Sequence, residues 1–215
     1  MKIFIDSADV ETIRKANETG LVDGVTTNPS FIAKSGRKFT EVVREICSFV
    51  KGPVSVEVMA ETCEGMVDEA QKVAELAPNI VVKIPMTVEG MKAIPVLEQE
   101  KKIHTNVTMV FSSTQCFLAM KAGACLVSVV LSRLDAIASE SIILLEDAVT
   151  IKNNYGFTSQ VLAASLKTQN HVLASLRLGA DIATMPDTLF FQLFKHPLTD
   201  AGLAAFMQDW GKVPK

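Results

Sequence analysis

No apolar stretch in this chain is longer than the five residues Leu203 to Met207, against the roughly 20 that a membrane-spanning helix needs. A mean hydropathy of +0.28 therefore has to be carried by buried strands and helix faces. Basic residues are not in surplus either. The 21 Lys and Arg against 24 Asp and Glu leave a net charge of -3, too little positive charge to neutralise a nucleic-acid backbone or an acidic membrane. Neither partner is expected, and an anionic ligand would have to meet a local cluster of cations. Cys47, Cys63, Cys116 and Cys125 match neither a zinc pattern nor a C-x-x-C redox pair. They read as reduced, mostly buried small hydrophobes, and the equally scattered His104, His171 and His196 give no reason to expect a metal. Lys2-Ile3-Phe4-Ile5-Asp6 reads at once as a strand, with no basic segment and apolar stretch before it, so a cytoplasmic location is expected.

What is present is a recurring unit. The 215 residues are enough for one sizeable core, and no Pro/Gly/Ser linker or low-complexity tract divides them, so a single domain over 1–215 is expected. Short β-branched runs occur at 3–6, 24–28, 54–59, 80–85, 103–110, 126–131, 160–165 and 181–185, each followed by a helical pattern. The first helix is expected over about Ala8 to Thr19, ending before Gly20, a good residue just past a helix end. Ser112 and Gln115 have the spacing of a capping box for the helix after strand 5. Runs such as Ile80-Val81-Val82 are continuously apolar, which points to parallel strands covered on both faces. Eight such units favour an α/β fold, a closed (β/α)8 TIM barrel. The rival, an open doubly wound sheet, lacks a G-x-G-x-x-G after strand 1. An additional C-terminal helix is expected over about 199–211, with Leu203, Phe206, Met207 and Trp210 on one stripe. That stripe suits packing on its own barrel or on a neighbouring subunit.

Barrels of this kind build their sites at the C-terminal ends of the strands, and that is where the unexpected polar residues fall. Strand 1 ends in Asp6, strand 2 carries Thr26 and Asn28, strand 3 Glu57, strand 4 Lys83, and strand 5 Asn106 and Thr108. Strand 6 brings Ser128 and then Arg133, and strand 7 ends in Ser165 followed by Lys167. Charges inside apolar strands are costly unless paired or used. Glu57 and Lys83 stand on strands that the barrel makes neighbours, so a buried ion pair that only fixes register is one reading. Seven consecutive strands converging on one rim favour a site. An amine held among apolar walls is easier to deprotonate, and a free amine attacks ketones. Glu57 is expected to work through a water and not as a tight pair. Arg133, Lys167 and the Ser165 hydroxyl supply the donors that a phosphate needs.

These residues lie in stretches that resemble a known family. Thr26-Thr27-Asn28-Pro29-Ser30, Val82-Lys83-Ile84-Pro85 and Thr105-Asn106-Val107-Thr108 are similar to those of the small transaldolases, a group that also contains the fructose-6-phosphate aldolases. Leu162-Ala163-Ala164-Ser165 and His196-Pro197-Leu198-Thr199-Asp200 extend the resemblance, which covers nearly the whole chain. It implies a class I aldol mechanism without a cofactor or metal. Lys83 would form the Schiff base with a ketose phosphate such as fructose 6-phosphate or sedoheptulose 7-phosphate. Asp6 would take the C4 hydroxyl proton, and Glu57 with Thr108 would position the proton-shuttling water. Asn28, Asn106 and Ser128 would bind the retained dihydroxyacetone unit, Thr26 would support that pocket, and Arg133, Ser165 and Lys167 would bind the phosphate. The resemblance also implies a homo-oligomer, pentamer or decamer, and a place in the pentose phosphate pathway.

Glu57 and Asn106 match the transaldolase branch, which transfers the unit to a second aldose. The alternatives are an aldolase that uses free dihydroxyacetone and a barrel that binds phosphosugars without catalysis. Strand 6 departs from the family pattern: Val130 stands where an aromatic residue is usual, which opens the pocket near Lys83. Ala136 replaces a frequent carboxylate, and Lys167 stands where larger transaldolases have Arg.

Overall fold

The computed structural model describes residues 1–214, the side chain of Ser35 apart. Strands β1 (Lys2–Asp6), β2 (Gly24–Thr26), β3 (Val54–Glu57), β4 (Ile80–Pro85), β5 (Thr105–Val110), β6 (Leu126–Val130), β7 (Gln160–Ala164) and β8 (Ile182–Met185) close into one parallel barrel in sequence order. Helices α1 (Val10–Asn17), α2 (Pro29–Ser35), α3 (Phe39–Phe49), α4 (Cys63–Ala74) and α5 (Val88–Pro95) accompany the first half. The second half carries α6 (Ser113–Lys121), α7 (Leu131–Asp135), α8 (Ser141–Tyr155), α9 (Gln169–Leu178) and α10 (Asp187–Gln192), and α11 (Pro197–Trp210) follows. This is the (β/α)8 barrel that the eight repeated units lead one to expect.

The apolar runs have a simple origin. Side chains alternate between the two faces of a strand, and here both faces are dry. Ile5, Val25, Val56, Val82, Ile84, Val107, Val127 and Val161 belong to the large core beneath the helices, whereas Phe4, Val81, Leu126, Leu162 and Ile182 form a separate cluster. The second set alternates with the first along each strand and plugs the barrel interior. Gly24 is part of that plug. A Cβ at this position would lie 2.6 Å from the Phe4 ring and from the Pro53 carbonyl, so only glycine lets β2 pass the ring.

Short polar caps set the strand-to-helix turns. Asp9, Asn28, Thr62, Thr87, Ser112 and Thr168 each accept a backbone N–H of the helix that they precede. The Ser112 cap is the expected one, but Gln115 reaches back to the Phe111 N–H at 2.8 Å, one residue before the cap itself. After α5 the chain widens into a π-helical turn, Val96–Lys101, directly following Pro95, whose ring nitrogen has no hydrogen to donate to the ladder. That turn aims Glu98 at the base of the barrel. One Glu98 oxygen accepts the Thr105 N–H and hydroxyl, both at 2.6 Å, and the Cys125 N–H at 3.0 Å, tying the entries of β5 and β6 together.

The last helix differs from the other long helices. None of its residues is buried, and Phe206, Met207 and Trp210 are each at least 70% exposed. Packing of the stripe on its own barrel, one of the two readings from sequence, is therefore not what the fold does.

Removing the Glu98 carboxylate leaves several shielded donors without an acceptor. Glu98→Ala is expected to cost about 2–4 kcal/mol, or a Tm drop of roughly 5–15 °C by calorimetry, with Glu98→Gln between that variant and wild type.

Candidate active site

Strand register brings the rim together. Asp6 pairs with Thr26 across β1 and β2, and Glu57, Lys83 and Asn106 are partners in turn across β3, β4 and β5. In a parallel sheet such partners point to the same side, here the barrel interior, one layer above the apolar plug. The layer floors a cavity of about 1060 Å³, which Asp6, Thr26, Asn28, Glu57, Lys83, Thr108, Ser128, Arg133 and Ser165 all line. Nine of the eleven residues singled out by sequence thus share one mouth. Of the other two, Asn106 is fully buried beneath it and Lys167 stands outside the lining on the exposed rim.

Lys83 is only 8% exposed. Its ammonium donates to the Thr27 carbonyl at 3.0 Å and lies 3.4 Å from Glu57 Oε2. Val82 and Ile84 belong to the outer core, and on its own side of the strand the amine meets the Thr27 carbonyl and Glu57. One expectation changes here. Glu57 makes a direct ion pair with Lys83, at a distance that leaves no room for a water between them. A carboxylate in this place can take up the proton that the ammonium must lose before it acts as a nucleophile.

Asp6 is held by a chain of hydroxyls. Thr26 Oγ1 donates to Asp6 Oδ1 at 2.8 Å, and its one hydrogen being so used, Thr184 donates to Thr26 at 2.6 Å. Burial raises the Asp6 carboxyl above the ordinary value; the Thr26 bond and the charges of Lys83 and Lys167 pull less strongly the other way. Asp6 is thus a proton acceptor better matched to neutral pH than a solvated carboxylate. Thr184 is a site residue that sequence reading missed. It is the one polar residue of β8, 2% exposed, and a polar side chain in an otherwise apolar strand end was the available signal.

A second polar chain supports the floor. Ser128 Oγ donates to Asn106 Oδ1 at 2.6 Å, and Asn106 Nδ2 donates to Ser55 Oγ at 3.1 Å. Asn106 therefore reaches the cavity through Ser128, and Ser55 is another residue that the sequence pass overlooked. The Asn28 carboxamide oxygen caps α2 through the Phe31 N–H at 2.9 Å. Its amide nitrogen is the part that suits a ligand.

The cationic side is built on two elements. Arg133 projects from α7 with Nη1 3.4 Å from the Met109 sulfur. Ser165 directly follows β7, its hydroxyl 2.7 Å from that of Ser132. Met109 and Ser165 both have left-handed backbones, with φ of 62° and 58°, a conformation that costs a non-glycine residue roughly 1–2 kcal/mol. At Met109 the strain goes with an irregularity in the β5 to β6 register, of which the sequence of β5 gave no sign. Val130, a small residue, lines the cavity.

The raised Asp6 carboxyl has a consequence for stability. Because the folded state binds that proton more tightly than the unfolded state, Asp6 contributes stability at low pH and loses it as pH rises through the folded value. Asp6→Asn is expected to raise the Tm by a few degrees at pH 7. The gain should vanish below the ordinary carboxylate range, as calorimetry at several pH values would show.

Residues 3–215 match the family model described as Transaldolase/Fructose-6-phosphate aldolase. A protein of Geotalea uraniireducens named probable transaldolase is 54% identical over 215 residues, the whole of both chains. One of Aquifex aeolicus with the same name is 54% identical over 100% of this chain and 99% of its own, and one of Methanococcus maripaludis is 52% identical over 98% and 97%. Among solved structures, a thiamine phosphate pyrophosphorylase from Pyrococcus furiosus has a TM-score of 0.59 at 18% identity over 86% of this chain and 85% of that one, a likeness of fold alone. Carried by the full-length family match and by relatives at over half identity, the conclusion is that this chain belongs to the transaldolase/fructose-6-phosphate aldolase family.

Proposed function

We propose that this protein is a transaldolase that moves a dihydroxyacetone unit from a ketose phosphate to an aldose phosphate through a Schiff base on Lys83. The observation that carries the reading is the buried Lys83 amine at the cavity floor, 3.4 Å from Glu57, with the partly buried carboxyl of Asp6 in the same mouth. Glu57 takes a proton from the ammonium, and the free amine adds to the C2 carbonyl of fructose 6-phosphate or sedoheptulose 7-phosphate. Glu57 and Thr108 then serve the proton transfers by which the carbinolamine loses water to the iminium. Asp6 accepts the C4 hydroxyl proton as the C3 to C4 bond breaks, and its electron pair moves into the iminium to give the enamine. The first aldose phosphate leaves, the second enters, and the steps run in reverse. Asp6 returns the proton, and water releases the new ketose and the amine.

Asn28 and Ser128 hold the retained hydroxyls in this reading, with Asn106 orienting Ser128, and Thr26 and Thr184 hold Asp6. Arg133 and Ser165 bind the phosphate, with the positive charge of Lys167 at the rim beside them. The names of the relatives support transfer, as does a carboxylate at position 57. The chemistry would place the enzyme in cytoplasmic sugar-phosphate metabolism, the pentose phosphate pathway; no helix among the described residues is long and apolar enough to cross a membrane. The exposed apolar stripe of α11 supports a homo-oligomer, pentamer or decamer, with that helix on a neighbouring subunit.

Borohydride added with fructose 6-phosphate is expected to fix a three-carbon adduct on Lys83, read by mass spectrometry; no adduct, or one that persists in Lys83→Ala, contradicts the mechanism. Release of glyceraldehyde 3-phosphate from fructose 6-phosphate should depend on added erythrose 4-phosphate. Release without any acceptor would favour the aldolase that yields free dihydroxyacetone. Light scattering should find an oligomer for the full chain and a smaller species after truncation before Thr199.

A further inference from the structure

We infer that His171 is a positioning residue that locks the two halves of the anion-binding side together, and that it thereby sets the preference for phosphorylated over unphosphorylated aldehydes. The inference rests on the phosphate-binding role proposed above for Arg133, Ser165 and Lys167. Those residues come from different elements: Arg133 from α7, Ser165 and Lys167 from the turn between β7 and α9. A clamp of this kind discriminates only if its two parts keep a fixed spacing, since a phosphate oxygen gains from several donors only when all are in place together.

The imidazole of His171 fills that need. It lies in the first turn of α9, its side chain 15% exposed, outside the cavity lining. Nδ1 accepts the Lys167 backbone N–H at 3.3 Å, and Nε2 lies 3.0 Å from Asp135 Oδ2 at the end of α7. A nitrogen that accepts carries no hydrogen, so the proton is on Nε2 and is donated to Asp135: the two contacts together select one tautomer. The backbone that carries the ring is anchored as well, its N–H capped by Thr168 Oγ1 at 3.2 Å. His171 thus bridges the backbone two residues after Ser165 to the carboxylate two residues after Arg133. A second polar tie between these elements is the Ser132 to Ser165 hydroxyl pair. Ser165 is also left-handed, a conformation that persists only when its surroundings enforce it. Ordinary helix-end packing would account for one of the imidazole contacts. It does not account for a ring whose two nitrogens serve the two arms of the same clamp.

The test compares glyceraldehyde 3-phosphate with unphosphorylated glyceraldehyde as acceptors, with one saturating donor, so that donor effects cancel. In His171→Leu the ratio of kcat/KM for the phosphorylated over the unphosphorylated acceptor is expected to fall about tenfold, mainly through a higher KM for the phosphorylated one. His171→Asn, which keeps an acceptor near the Nδ1 position, should recover part of the ratio. An equal loss on both acceptors, or no change in either, overturns the inference. If His171→Leu does not fold, Asp135→Ala, on a partly exposed residue, is measured in the same way. Inorganic phosphate supplies a readout free of chemistry: the thermal stabilisation it gives wild type should shrink in the variants. That measurement decides the point even if borohydride finds no adduct on Lys83, so failure of the clamp and failure of the Schiff-base reading are separable.

Discussion

A closed ring of parallel strands leaves each inward side chain no choice of neighbour. Once β1 to β8 are hydrogen-bonded in register, residue i and its cross-strand partners point to the same side of the sheet, and residue i+2 points there again, one step further along its strand. In this protein one layer is Phe4, Val81, Leu126, Leu162 and Ile182, and two residues further on stand Asp6, Lys83, Ser128, Ala164 and Thr184. The apolar layer fills the space below, and the polar layer above inherits a dry floor and a rigid frame. Burying Lys83 costs free energy that only nearby oxygens offset. The register supplies them, since it sets Glu57 directly beside Lys83 and brings the Thr27 carbonyl within reach.

That same rule decides what was legible beforehand. Eight apolar runs at regular spacing disclose eight units, and charges such as Glu57 and Lys83 within them disclose a rim, because these are properties of single strands. The partner of a hydroxyl is a property of two strands and depends on register. Thr184 and Ser55 were passed over for that reason: each is an unremarked small polar residue until the closed sheet sets it beside Thr26 or Asn106. The irregularity at Met109 had no signal in the sequence of β5, and the Ser112 cap, being local, was visible from the start.

Loops do little of the positioning on the acid-base side and much of it on the cationic side. Asp6, Glu57 and Lys83 are strand residues, Lys83 paired with both neighbouring strands and Asp6 and Glu57 each with one. Arg133 and Ser165 stand where strands have just ended, with the backbone at Ser165 and at Met109 nearby in a costly conformation. A proton transfer tolerates little displacement, whereas a phosphate is recognised by several donors whose mutual spacing matters most. Chemistry on rigid strands and recognition on braced turns match those two demands.

The Phe4 ring, for which β2 gives up a side chain at Gly24, has a kinetic meaning. With the plug in place the barrel is a blind well and not a tunnel, and everything that reaches Lys83 enters and leaves by one opening. For a two-substrate transfer on a covalent enzyme, the first product has to depart before the second aldehyde can arrive. In the Schiff-base transfer proposed above, such a well would enforce alternation of substrates, a ping-pong sequence in which donor and acceptor compete for a single doorway, and the Phe4 plug would be part of what dictates the order of events.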